Sequence, residues 1–274
     1  MRKWWLTLFF LLFMVIVAGC DAMQQPRPYV PKADMQSEAA LVMQGKLMET
    51  REVIREAAIG VEAVVFRSGF LRAPLTQTGS GYVFYEDENY YYALTNHHVV
   101  DRGSHPRAEY TVTLFYRDGA NPSVSAELLF KDDAYDLAVL RFAKGTHTIP
   151  VRDISTRLNA PLKAGEMLLA VGNPSGINMI VTFGEFLSIT TIESVAFPVI
   201  FHSVMIFSGH SGGALTDLDG NLVGINAWGN STDNSSGLAV PLAKIMEFLE
   251  NHDFIVNYFE TTHTDENEMS LHPD

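Results

Sequence analysis

Eight residues, Ser208-Gly209-His210-Ser211-Gly212-Gly213-Ala214-Leu215, constrain this chain more than any other stretch. A serine hydroxyl is a poor nucleophile at its own pKa. It needs a base beside it and donors for the oxyanion that forms after attack. Gly209 lets the backbone turn so that its N–H and that of Ser211 can point at one spot. Gly212 and Gly213 remove side chains where substrate and neighbouring strands must come close. Leu215 and the apolar Leu222-Val223-Gly224-Ile225 would carry the loop into buried strands. The plainer alternative is a Gly-Ser turn between two strands. The loop therefore gains chemical meaning only if a histidine and an aspartate stand elsewhere in suitable settings.

Both occur upstream. Tyr90 to Thr95 reads as a strand that runs into Asn96-His97-His98-Val99-Val100. A histidine at a strand end can be held firmly and still reach a cleft, which suits a general base. Val99 and Val100 would pack under the loop. Neighbouring side chains point apart, so one of the two histidines would face the serine. Asp136 opens the apolar run Leu137-Ala138-Val139-Leu140. A carboxylate at the rim of a core needs a partner, and a histidine N–H is the partner that triad logic supplies. An ordinary turn aspartate is the alternative.

The surrounding pattern is β-rich. Short runs at 61–67, 78–85, 112–116, 124–130, 164–172, 179–190 and 193–206 read as strands separated by turn signals, and the chain has 20 glycines. This favours an all-β chain. Its 274 residues, 47% hydrophobic, suit one large or two small domains. A net charge of −13 argues against nucleic-acid or anionic-membrane binding through the globular part. Cys20 is the only cysteine, so no intramolecular disulfide can form. His97, His98, His105, His147, His202 and His210 show no ligand-spaced pairing, so neither metal nor cofactor is expected.

The N-terminus carries its own signal. Met1-Arg2-Lys3 precedes an apolar run from Trp4 to Val17, then Ala18-Gly19-Cys20. This is the form of an export signal with a small-residue processing site. It closely resembles the lipobox of bacterial lipoproteins, which implies acylation of Cys20 and a lipid-anchored envelope protein. A plain signal peptide or signal anchor is the alternative. Asp21 resembles an inner-membrane retention signal, facing the periplasm, if the source is Gram-negative. Residues 1–19 are then the signal peptide and 20–35, with three prolines, a tether. Residues 36–58 read as a helix with Ala40, Met43, Leu47, Ile54 and Ala58 on one face. It would pack on the domain surface or, alternatively, serve oligomerisation.

Taken together, Thr95 to Val100, Asp136 to Leu140, Gly172-Asn173-Pro174 and Gly209 to Leu215 resemble trypsin-like serine peptidases of the bacterial HtrA/Deg type. Gly79-Ser80-Gly81, Val181 to Gly184, Gly220 to Asn226 and Gly237 to Pro241 extend the likeness over about residues 60–250. The resemblance implies two six-stranded antiparallel β-barrels, the first about 59–150 and the second about 160–245, within a domain of 59–255. It selects His98 over His97, and implies a triad of His98, Asp136 and Ser211 with an oxyanion hole at the Gly209 and Ser211 N–H groups. The His, Asp, Ser order suits this fold. The specificity pocket would be lined by Met205, Ile206, Asn226, Ala227 and Trp228. No acid stands there, so a small or medium apolar side chain is the expected preference. Polypeptide substrates and a homo-oligomer are further implications.

The sequence also departs from that family. His210 stands where asparagine or aspartate is usual, Ser208 where proline is common, and no PDZ domain is expected after the short helix at 243–251. A dormant, binding-only member of the fold is the competing reading. Residues 256–274 are acidic and polar and are expected to be disordered.

Overall fold

The structure is a computed structural model that describes residues 38–69, 72–116, 118–230 and 233–254. The expected leader, lipidation site at Cys20, tether and disordered acidic tail lie outside the described residues.

Among the described residues, twelve antiparallel strands form two closed barrels. The first contains β1 (Ala58–Phe66), β2 (Leu75–Glu86), β3 (Tyr90–Thr95), β4 (Arg107–Leu114), β5 (Ser123–Asp132) and β6 (Leu137–Ala143), in the order β1-β2-β3-β6-β5-β4. The second contains β7 (Met167–Gly172), β8 (Ile180–Thr190), β9 (Val199–His202), β10 (Ala214–Asp217), β11 (Leu222–Gly229) and β12 (Gly237–Pro241), in the order β10-β11-β12-β9-β8-β7. Closure occurs where β1 pairs with β4 and β10 with β7. It removes the unpaired edges that an open sheet would expose. The expected all-β double barrel is therefore what the chain forms.

The strands follow from where their two faces go. In β6, Ala138, Leu140 and Phe142 join the cluster filling the first barrel, while Leu137 and Val139 join a larger core. That larger core takes Tyr82, Phe84 and Leu94 from the first barrel and Leu169, Val171, Ile225 and Val240 from the second. Helix α3 (Leu242–Asn251) adds Ile245, Phe248 and Leu249 to it. A strand buried on both faces reads as continuous apolar sequence, as Leu137-Ala138-Val139-Leu140 does. A third cluster around Leu168, Ile200 and Leu215 fills the second barrel. The shared core holds the two barrels together.

Three sequence expectations need correction. The strand expected over 193–206 is only Val199–His202. Pro198 stands immediately before it, and 203–207 form the loop that leads to Gly209. His98 is not at a strand end. It lies in a single helical turn, α2 (His97–Val100), directly after β3. Helix α1 spans Glu38–Glu56, and Ala58 already belongs to β1. Its apolar face is seated only in the second half, where Ile54 is fully buried and the Thr50 hydroxyl donates to Leu218 O at 2.7 Å. Met43, expected on the packed face, is exposed, as are Leu41, Val42 and Met48.

Candidate active site

On the first barrel, Asp136 grips His98 twice. The imidazole Nδ1 lies 2.8 and 3.0 Å from the two carboxylate oxygens, and the His98 backbone N–H donates to Asp136 Oδ1 at 3.0 Å. A carboxylate only accepts, so Nδ1 carries the proton and Nε2 presents a lone pair. The His98 side chain is 44% exposed while Asp136 is buried. Asp136 has φ +51°, the left-handed region that aspartate tolerates better than bulkier residues. Two supports hold it there. Asn96 Nδ2 donates to Asp136 O at 2.9 Å, and the neighbouring Tyr135 hydroxyl donates to Glu247 on α3 at 2.6 Å. Val99 and Val100 are buried beneath, as the sequence suggested.

On the second barrel, Phe207 to His210 form a turn closed by His210 N–H donating to Phe207 O at 3.0 Å. Gly209 at its third position has φ +98°. This is a type II turn, whose third residue must adopt positive φ. A Cβ on Gly209 would sit 2.5 Å from Asn173 O, so only glycine fits. Gly212 is equally constrained: its φ is +86°, and a Cβ there would overlap Ser80 O. Among the described residues, neither the Gly209 nor the Ser211 N–H donates to a protein acceptor. The Ser211 hydroxyl donates to Ala227 O at 3.3 Å and makes no hydrogen bond with His98. A bulge between Asn226 and Trp228 accompanies that carbonyl.

The residues expected around a pocket divide. Ile206 is buried against the backbones of Gly229 and Gly237, where an added Cβ would meet its side chain at 3.2 and 2.5 Å. Met205 is half-buried and its carbonyl accepts from the Thr182 hydroxyl at 2.8 Å. Ala227 is buried, and half-buried Trp228 packs against the shared core. Asn226 serves the loop instead, since its Nδ2 donates to Gly213 O and Ala214 O at 3.0 Å each.

Two further histidines lie in this barrel, both fully buried. His210 Nδ1 accepts from Phe207 N–H at 3.3 Å, and among the described residues its Nε2 has no partner. Neither ring nitrogen of His202 has a hydrogen bond of normal geometry. Burial disfavours the charged ring and pushes each pKa down to about 4. Sequence reasoning found His210 but gave no role to His202, Asn96 or Ser80. Only Ser80 had a visible signal, its place between Gly79 and Gly81.

Two closed six-stranded barrels, with an aspartate-held histidine on one and a glycine-framed serine on the other, define a serine-peptidase type of domain. Residues 79–225 match the family described as trypsin-like peptidase domain, and the chain belongs to that family. It is 32% identical over 175 residues to the serine protease Do-like HtrA of Bacillus subtilis, covering 60% of this chain and 36% of that one. It is 36% identical over 152 residues to a probable periplasmic DegP-like serine endoprotease of Halomonas elongata, covering 54% and 29%. Among solved structures, the serine endoprotease from Yersinia pestis aligns with a TM-score of 0.55 at 26% identity, over 76% of this chain and 65% of that one. The chain thus spans about a third of the length of these curated relatives.

Proposed function

We propose that the protein is a serine endopeptidase, anchored to a membrane through an acylated Cys20 and facing an extracytoplasmic space. The carrying observation is the doubly held His98–Asp136 pair, with Nε2 free, combined with a nucleophile turn whose Gly209 and Ser211 N–H groups are uncommitted. Ser211 Oγ turns from Ala227 O towards His98 and attacks the scissile carbonyl. His98 Nε2 takes its proton, while Asp136 stabilises the imidazolium. The two N–H groups hold the oxyanion. The tetrahedral intermediate then collapses, the C–N bond breaks, and His98 returns the proton to the leaving amine. Water repeats the cycle on the acyl-enzyme.

Exposed or unfolded segments of envelope proteins are the proposed substrates, in keeping with the periplasmic and HtrA-type descriptions of the relatives. Ile206, wedged between two glycine backbones, supports a preference for a small or medium apolar side chain at the cleavage site. Homo-oligomerisation is compatible with this reading.

One observation favours a dormant binding module instead: the hydrogen bond from Ser211 to Ala227 O rather than to His98. Catalytic hydrogen bonds often tighten only when substrate binds, so the peptidase reading stands first. The test uses the full chain in detergent, wild type beside Ser211→Ala, with casein and a serine-reactive fluorophosphonate. Cleavage and labelling confined to the wild type are expected. Neither in a folded wild type would assign the protein to the binding class.

A further inference from the structure

Ser80 lies on the first barrel, on β2, yet every polar group it carries is engaged at or beside the nucleophile loop. Its N–H donates to Ser211 O at 2.8 Å, and its hydroxyl donates to Gly209 O at 2.5 Å. The same hydroxyl accepts the Asn173 N–H at 2.8 Å, and its carbonyl accepts the Thr95 hydroxyl at 2.7 Å. Ser80 is fully buried. The loop also presses directly on it, since a Cβ on Gly212 would overlap Ser80 O.

We infer that Ser80 is a positioning residue for oxyanion stabilisation, which rests on the peptidase reading above. The two carbonyls it holds belong to Gly209 and Ser211, the same two residues whose N–H groups are left uncommitted. That stretch of backbone is therefore clamped at both ends to the barrel that carries His98 and Asp136. The bond from the Ser80 hydroxyl fixes the 209–210 peptide plane and the bond from its N–H fixes the 211–212 plane. These two planes flank the one that carries the Ser211 N–H, and the first adjoins the one that carries the Gly209 N–H. Donors contribute to catalysis only when fixed before charge develops. Ser80 thus registers the donors of one barrel against the base of the other. Thr95 supports the arrangement from behind. It sits at the end of β3, one residue before Asn96, whose side chain holds Asp136 O. Base and oxyanion donors share one buried hydrogen-bonded frame.

The test compares wild type, Ser80→Ala and Ser211→Ala in the full chain. It reads kcat and KM on a peptide substrate, the fluorophosphonate labelling rate, and amide hydrogen exchange across 207–213. Ser80→Ala keeps the N–H bond to Ser211 O and loses the hydroxyl's hold on Gly209 O. Losing one oxyanion donor outright costs about 10²–10³ in kcat, so loosening the turn at Gly209 is expected to cost roughly 10–100-fold in Ser80→Ala, with KM within about twofold. Labelling should slow in parallel, and exchange should rise across 207–213 while that of the first barrel stays unchanged. A merely structural Ser80 would lower the melting temperature and leave kcat per folded molecule intact, which overturns the proposal. If wild type cleaves no better than Ser211→Ala, the peptidase reading fails on its own, and equal exchange across 207–213 in wild type and Ser80→Ala then also overturns the clamp. Should Ser80→Ala not fold, the near-isosteric Thr95→Val frees the Ser80 carbonyl. It is expected to lower kcat at least about threefold, a fraction of a donor's full effect, and unchanged kcat and exchange overturn the proposal.

Discussion

The two barrels bring different materials to the cleft. The first supplies side chains: an exposed imidazole, a buried carboxylate behind it, and Asn96, Tyr135 and Ser80 to hold the arrangement. The second supplies mainly backbone. Its turn works through positive φ at Gly209 and Gly212, two uncommitted N–H groups and the Ala227 carbonyl. A side-chain device depends on which atoms are present and can be disabled without moving the chain. A backbone device depends on conformation, so it fails when a methyl group is added far from any reacting atom.

The sharpest test of the side-chain half is Asp136→Asn. The His98 backbone N–H already faces Oδ1. An asparagine that keeps this bond turns its NH2 towards Nδ1, which must then accept, so Nε2 carries the proton and cannot act as base. The expected loss is about 10⁴-fold in kcat with the fold intact, the scale known for the wrong tautomer in a triad. Steady-state kinetics beside circular dichroism would show it. A loss below tenfold in a folded variant would mean that Asp136 does not set the tautomer.

The backbone half breaks with Gly209→Ala. The new methyl meets Asn173 O and penalises the positive φ, so the turn must rearrange. About 10²–10³ in kcat is expected, with KM nearly unchanged, because the ground-state carbonyl relies little on the hole. If KM rises instead and kcat holds, the turn serves substrate binding and the contrast between the barrels collapses.

The same contrast explains what the sequence made legible. Ser211, His98 and Asp136 stood out because their residue types are chemically sparse and fell in a recognisable order. The all-β class was visible in the short apolar runs between turn signals, while the double barrel was implied only by the resemblance to HtrA/Deg-type peptidases. Features set by three-dimensional approach were not. The positive φ of Asp136 comes from a turn closed by its N–H on Asp133 O, and aspartate gives no outward sign of it. Asn226 reads as a strand residue beside a pocket, yet the bulge at Ala227 turns its amide onto the loop. The apolar residues at 193–206 suggested one strand because periodicity cannot distinguish a ladder from a loop that buries its apolar side chains, as Val204 and Ile206 do.

The smallest effect expected is on stability, through two histidines of the second barrel. His202 and His210 are fully buried, with pKa pushed down to about 4. The unfolded chain holds them near the ordinary value of about 6.5. Between these values the unfolded state binds more protons, so stability falls as pH drops through that window and is flat above it. At pH 5 the loss is about 2 kcal/mol per histidine relative to pH 7. Depressed carboxylates such as Asp101 and Asp118 contribute in a lower window, as pH falls below their unfolded value of about 3.9. A pH 7 against pH 5 comparison therefore isolates the histidines. Urea midpoints for wild type, His202→Leu and His210→Asn would show each variant losing less stability on acidification than wild type. Equal acid sensitivity in all three proteins would mean that neither buried ring stays neutral in the folded chain.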